Sequence, residues 1–338
     1  MKYMKKKLMA VFLILVMALM LVSCSGVNRS ADSSALDGMI TQSADALRNA
    51  LKPEGELPAG SPMGDWAEMV WALAGESDPH YLECLEMYIV KQYEKNGNLS
   101  DVKATEYHRI ALTILALGGD PTKVDSDGMQ INLIADGTWN FSGGSPGFQG
   151  ANGLIYALLV LDSKAYETGH IDLRKQYVEE LLTYQKDSGA FCLDNSMDGD
   201  PDMTAMAIQA LAPYRSDMQV NEAVERSMNW IQEQLAEAED YTDLKEDSAE
   251  TCAQVILALC ALGLDPDKEA DFVKNEQNVL DHLNSYRMEN GMYQHVYSDD
   301  KENIMATYQS LLALEAVQKL RNEQKWIFDF TDQETKMK

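Results

Sequence analysis

The chain has 338 residues, enough for one large domain or two average ones. Its 54 acidic residues outweigh 28 basic ones, and the net charge of −26 excludes the electrostatic footprint of a nucleic-acid binder. A hydrophobic content of 46% excludes global disorder, and apolar residues drawn mainly from Ala, Leu and 19 Met, with only 8% aromatics, favour helices over sheets.

The first seven residues carry Lys2, Lys5, Lys6 and Lys7 and no acid, and Leu8 to Val22 is an unbroken apolar run. This is the charged and hydrophobic order of a secretory leader, and the run is short of the ~20 residues that span a bilayer. Leu21-Val22-Ser23-Cys24 follows. It resembles the bacterial lipobox, which implies cleavage after residue 23 and acylation of Cys24. The expected organisation is therefore a lipoprotein signal peptide at 1–23 and a lipidated tether at 24–34. A toroid domain at 35–320 and a C-terminal tail at 321–338 complete it. Loss of the four lysines takes the net charge from −26 to −30. Cys84, Cys192, Cys252 and Cys260 remain. Cys252 and Cys260 share one helical run, about 12 Å apart at 1.5 Å per residue, too far to bridge. Buried free thiols are expected.

Residues 36–51 read as a first amphipathic helix. Beyond them, six segments are apolar on nearly every face after their first turn: Gly64–Gly75, Thr105–Gly118, Phe148–Leu161, Asp202–Ala212, Glu250–Gly263 and Ile304–Val317. A helix of that kind has to be buried on nearly all sides. Between them lie segments with one apolar stripe and charged flanks: Leu82–Tyr93, residues 129–135, Leu173–Gln185, Val220–Leu235 and Phe272–Arg287. The order is outer, inner, six times over. An all-α (α/α)6 toroid buries all six inner helices, whereas an open solenoid leaves them exposed on one side. A polar residue, a glycine, one further residue and a large apolar one recur at Asn96–Leu99, Asp136–Trp139, Ser188–Phe191 and Asn290–Tyr293. The glycine permits a left-handed helix stop, and the last side chain can fold back between repeats.

Gln185-Lys186-Asp187-Ser188-Gly189-Ala190-Phe191 resembles the Gln…Gly-x-Trp/Phe repeat of the prenyltransferase and squalene-cyclase superfamily. Asp202-Met203-Thr204-Ala205 and Glu250-Thr251-Cys252-Ala253 resemble its inner-helix starts. The resemblance covers about residues 35–320. It is similar in kind to secreted or surface-anchored bacterial repeat lipoproteins and, more distantly, to transcobalamin-like corrinoid binders. The resemblance implies that the inner-helix N-termini meet at one barrel mouth. There they would supply Asp65, Trp66, Glu106, Tyr107, Phe148, Gln149, Asn152, Asp202, Glu250, Asn303 and Tyr308 as ligand-binding candidates, with Trp139 and Phe141 in an adjoining loop. Acids at those positions also complement helix dipoles without any ligand.

The superfamily's chemistry finds partial counterparts. Its proton-initiated cyclases use Asp-x-Asp-Asp-Thr-Ala, and Asp202 would be the general acid. Met203 replaces the neighbouring acid, so the pair that would tune it is broken. The protein prenyltransferases hold zinc with Asp, Cys and His. Glu250-x-Cys252 echoes two of these, but Met305 and Ala306 stand where the histidine would answer. Asp194–Gly199 has calcium-loop character, but position twelve of that loop is Ala205. Paired carboxylates among Asp65, Glu106, Asp202 and Glu250 would suit a carbohydrate-active toroid enzyme. Corrinoid binders add a β-rich domain, for which the residues after the sixth pair are too few. No cofactor and no metal site is expected.

The sequence thus points to an extracytoplasmic lipoprotein, held to the membrane through Cys24. Its toroid would bind a small hydrophobic or corrinoid-like molecule or a cell-surface protein, and not nucleic acid. Cys24→Ala is expected to abolish both membrane association and incorporation of a radiolabelled fatty acid, as judged by fractionation and labelling of the host.

Overall fold

The computed structural model describes residues 33–52, 57–126, 129–237, 247–274 and 276–332. The leader, Cys24 and most of the tether lie outside these residues. Among the described residues there are twelve α-helices in alternating roles. The outer ones are α1 (33–51), α3 (Pro79–Asn96), α5 (Leu133–Gly137), α7 (Leu173–Leu182), α9 (Met218–Glu237) and α11 (Val279–Ser285). The inner ones are α2 (Pro62–Leu73), α4 (Ala104–Ala116), α6 (Ala151–Ser163), α8 (Pro201–Leu211), α10 (Ala249–Ala261) and α12 (Ile304–Arg321).

Local chemistry fixes the helix starts. Ser61, Asp78, Asp200, Ser248 and Asn303 each cap a helix by accepting from its first free amides, and proline follows three of them at the first helical position. Each inner helix packs against the next, and α12 packs back on α2, so the ring closes. The inner helices run parallel. Trp66, fifth residue of α2, stacks on Tyr308, fifth of α12, and Gln254 and Gln309, sixth in α10 and α12, share a hydrogen bond.

The outer layer closes by the glycine device. In the fourth repeat, Gln185 Nε2 donates to Ser227 Oγ (2.9 Å) and to the Ala223 carbonyl (2.8 Å) on α9. In the sixth, Arg287 donates to Gln42 Oε1 (2.6 Å) on α1, and Gln42 Nε2 returns a bond to the Glu289 carbonyl. The last repeat therefore grips the first helix as a middle repeat grips its successor. Phe191 and Tyr293 fold inward and are fully buried. Their amides donate to Thr204 and Thr307 on the following inner helices, both at 2.9 Å. Gly97, Gly189 and Gly291 take positive φ of 78°, 100° and 93°. Gly137 does not; it ends the short α5 within helical geometry.

Two outer segments differ from expectation. Residues 129–135 are not one helix. Val124–Ser126 (β1) and Met129–Ile131 (β2) form an antiparallel hairpin that buries Val124 against Ile131, and Asn132 then caps α5 through the Ala135 amide. The apolar–polar alternation there is a strand period, not a helical one. Likewise only Val279–Ser285 of Phe272–Arg287 is α-helical. Val273–Lys274 (β3) pairs with Gln277–Asn278 (β4), and a capping box between Asn278 and Asp281 sets the start of α11. Phe148 belongs to a 3-10 turn, and Gly150 at φ 70° separates that turn from α6. The four cysteines within the described residues are free thiols; Cys192, Cys252 and Cys260 are buried, as expected, and Cys84 is half-buried.

After α12 the chain forms a clasp of turns. Ile327, Phe328 and Phe330 are buried, and the Phe330 amide donates to the carbonyl of Ser163, the last residue of α6 (2.7 Å). The clasp covers the end of the barrel opposite the inner-helix N-termini.

Two of the buried titratable groups pull the stability profile in opposite directions. His108 donates Nε2–H to the Gly137 carbonyl (2.6 Å), and burial holds its pKa down at about 4. The folded state refuses a proton that the unfolded chain takes below ~6.5, so stability falls with acid from there. Glu315 is buried in α12 with neither carboxyl oxygen hydrogen-bonded, and burial pushes its pKa well up. The folded state keeps a proton that the unfolded chain loses above ~4.3, so stability falls as pH rises past that point. Glu315→Gln is expected to raise Tm by a few degrees at pH 8 and by nothing at pH 4.5, measured by thermal melts across that range.

Candidate functional site: the barrel cavity

A cavity of about 520 Å³ runs from the mouth down the barrel axis. Its walls change character with depth. Asp198, Asp200 and Asp202, with Leu193, Met197 and Met203, come from α8 and the loop before it and line the entrance beside Thr105 and Asn152. Trp66, Tyr156 and Tyr308, from α2, α6 and α12, form an aromatic wall. Trp66 stacks on Tyr308 with centroids 6.0 Å apart and 6° between planes, and meets Tyr156 edge-on at 6.1 Å. Burial, aided by the charge of Glu250, pushes the Tyr308 hydroxyl up to about 12. Ile155, Leu159, Leu257, Leu312 and the clasp's Phe328 also line the cavity. Leu159 lies near the C-terminal end of α6, where the clasp closes the floor.

Across the middle runs a chain of three glutamines. Gln209 Nε2 donates to Gln254 Oε1 (2.9 Å), and Gln254 Nε2 donates to Gln309 Oε1 (2.9 Å). Gln209 Nε2 also donates to the Gln254 carbonyl (3.4 Å), which fixes the direction of the chain. Gln209 and Gln254 are only 4% and 8% exposed. Among the described residues, Gln209 Oε1 and Gln309 Nε2 take no protein partner, so the girdle ends in one free acceptor and one free donor. Asn152 Oδ1, also on the cavity wall, is shielded and makes no hydrogen bond.

Arg109 is the cation of this wall, and its charge is taken up. Nε donates to Asp65 Oδ2 (2.9 Å), and one terminal nitrogen donates to Glu106 Oε2 (2.7 Å) and to the Gly60 carbonyl (3.0 Å). Asp65 Oδ1 accepts in turn from Tyr81 (2.7 Å) and the Gly60 amide (3.0 Å). The triad ties α2, α4 and α3 together.

Of the residues expected at the mouth, Trp66, Asn152, Asp202 and Tyr308 line the cavity. Others are used elsewhere. Asp65 and Glu106 converge on Arg109, and Tyr107 is buried with its hydroxyl accepting from the Leu99 and Ser100 amides. Gln149 Oε1 accepts from the Thr105 amide, and Asn303 caps α12. Phe141 is buried against Tyr107, while Trp139 packs on His170. Glu250 is buried, and its Oε2 accepts from His295 Nδ1 (2.8 Å), a bond that holds the imidazole pKa above its ordinary value. Its Oε1 has no hydrogen-bond partner. Phe148 stands 77% exposed at the rim, where Met63, Val102, Met197 and Met305 are also exposed at inner-helix N-termini. The glutamines were missed because each reads as one polar position in an otherwise apolar helix. The sixth position shared by Gln254 and Gln309 was the available signal, and Gln209, ninth in its helix, had none.

A second cluster also escaped the sequence reading. Asp247, Cys252 and His282 bring ligand atoms within 4.8 Å of one another. The histidine comes from outer helix α11, not from the sixth inner helix. Zinc accepts such a donor set. Here, however, Asp247 already accepts from His282 Nε2 (2.9 Å), from the Tyr286 hydroxyl and from the Cys252 thiol (3.7 Å), and burial pushes that thiol well up. The arrangement is complete as a hydrogen-bond network.

The sequence matches no family model and no curated protein. Among solved structures, the chain is similar to Candida albicans protein geranylgeranyltransferase-I complexed with GGPP, with a TM-score of 0.56 at 13% identity, over 88% of this chain and 99% of that one. The likeness defines a prenyltransferase-like α/α toroid and extends to the fold alone.

Arg109→Leu is expected to destabilise the protein by about 3–5 kcal/mol, because it strands the buried Asp65 charge. Arg109→Lys should recover little of this, since one ammonium cannot span Asp65, Glu106 and Gly60 together. Urea denaturation of both variants checks this.

Proposed function

We propose that this protein is an extracytoplasmic, lipid-anchored binding module whose toroid receives a small molecule through the barrel mouth. The observation that carries the reading is the cavity itself: open at the inner-helix N-termini, closed by Phe328, and crossed by an amide girdle with unused hydrogen-bonding ends. A space of this size, apolar below with a few convergent polar groups, has the make-up of a ligand site.

The solved relative's GGPP is a poor guide to the ligand. Asp198, Asp200 and Asp202 at the entrance repel a diphosphate, and Arg109 is already neutralised. The reading as a terpene-cyclase-like enzyme draws on Asp202 lining the cavity. It is weakened by the girdle, because amide oxygens of Gln209, Gln254 and Gln309 would capture a carbocation that such chemistry has to protect.

Native mass spectrometry of the protein purified from its host tests the proposal. A co-purifying small molecule is expected, and it should be lost in the double variant Asp202→Asn/Gln254→Leu. A stoichiometric protein partner with no small molecule would overturn the reading.

A further inference from the structure

We infer that the ligand presents an organic cation, an alkylammonium or guanidinium group, to the upper half of this cavity. The inference rests on the proposal that the cavity binds a ligand and names the chemistry of what enters.

Charge gives the first argument. Three aspartates line the entrance, and the wall's cation is held between two further carboxylates. The parallel inner helices point their positive ends at the same mouth, about half a charge each, and would favour an anion. One leading amide in each of five of them is already met, by Ser61, Asp200, Ser248, Asn303 and Gln149, and the first amide of α6, that of Ala151, donates to the Leu193 carbonyl. Beyond the capping Asp200, Asp198 and Asp202 add full negative charges to the entrance.

Hydrogen-bond accounting gives the second. Unused acceptors in and beside the cavity are Gln209 Oε1, Asn152 Oδ1 and, just outside the lining, Glu250 Oε1. Unused donors also stand among the lining residues: Gln309 Nε2, Asn152 Nδ2, Trp66 Nε1 and the hydroxyls of Tyr156 and Tyr308. Gln209 is 4% exposed and on the cavity wall, so its free oxygen is open to the cavity. An ammonium brings three donors and no acceptor, and a guanidinium brings five. A carboxylate or phosphate would bring acceptors only, and none of them could meet Gln209 Oε1 or Asn152 Oδ1.

The aromatic wall gives the third. Trp66, Tyr156 and Tyr308 meet at the depth between the aspartates and the glutamines. Their ring faces attract a desolvated cation, most strongly at tryptophan. Toward the floor the lining is apolar, with Leu159, Leu257, Leu312 and Phe328, which suits a short hydrocarbon attached to the charged head.

The test is calorimetric titration of the full chain with a matched series: n-butylguanidine, n-butylamine, n-butanol and butyrate. The cations should bind, the alcohol should bind at least roughly tenfold more weakly, and butyrate should not bind. Affinity for the cations should fall with added salt. Gln209→Leu and Asp202→Asn should each weaken cation binding about tenfold while leaving the alcohol unchanged. A lysine-containing peptide that binds more tightly than n-butylamine, and loses this on acetylation, would place the cation on a polypeptide. A free amine that binds as tightly as the peptide would place it on a small molecule. Alcohol or butyrate binding as tightly as the cations would overturn the charge assignment and leave the cavity reading standing. Binding of none of the four probes, with no co-purifying molecule, would overturn both.

Discussion

A helix that is apolar on every face has to be surrounded, and this molecule holds six of them. A line of helix pairs would leave one side of each in water, at about 25 cal/mol for every Å² of apolar surface. Closing the line into a ring removes that exposure. The closure is a set of specific contacts: α12 against α2 inside, and Arg287 on Gln42 outside. The second repeats the grip of Gln185 on α9, so the seam of the ring uses the same device as its interior.

Closure has a geometric corollary. Six parallel helices in a ring leave space on the axis, and that space must be filled, walled or wetted. The lower end is sealed by the chain's own Phe328. Higher up, the wall becomes polar, and polar groups in a shielded space need partners. Arg109, Asp65 and Glu106 find their partners in one another, in Gly60 and in Tyr81. Gln209, Gln254 and Gln309 do so only along their chain, which leaves the ends unmatched. The contrast separates what the fold needs for itself from what it leaves for something else.

The helical repeat was legible because burial on all faces writes itself as runs such as Leu154–Leu161, and the glycine device because a left-handed stop has few chemical solutions. The short outer elements were less so. Val124 to Ile131 alternates over too few residues to overrule a helical expectation, and a capping box at Asn278 shortens a longer apolar stripe. The site divides along another line. Trp66, Asn152, Asp202 and Tyr308 could be placed at the mouth by their distance from helix starts. Asp65 and Glu106 could not be assigned correctly, because nothing local in the sequence says that Arg109, on the next inner helix from Asp65, claims both. His282 joined Asp247 and Cys252 through packing between layers, for which sequence spacing carries no sign.

The direction in which α1 runs has a bearing on how the molecule would stand in an envelope. Outer helices descend where inner ones rise, so the start of α1 lies at the floor: Gln318, in the last turn of α12, donates to Asp37 (2.6 Å). The nine residues from Cys24 to residue 32 reach at most about 30 Å. On the proposed anchor, the barrel's closed end would sit against the lipid, and its open end would face away from the membrane. The C-terminal clasp would then lie on the lipid-proximal side, and the acidic entrance would be presented to whatever diffuses in from outside.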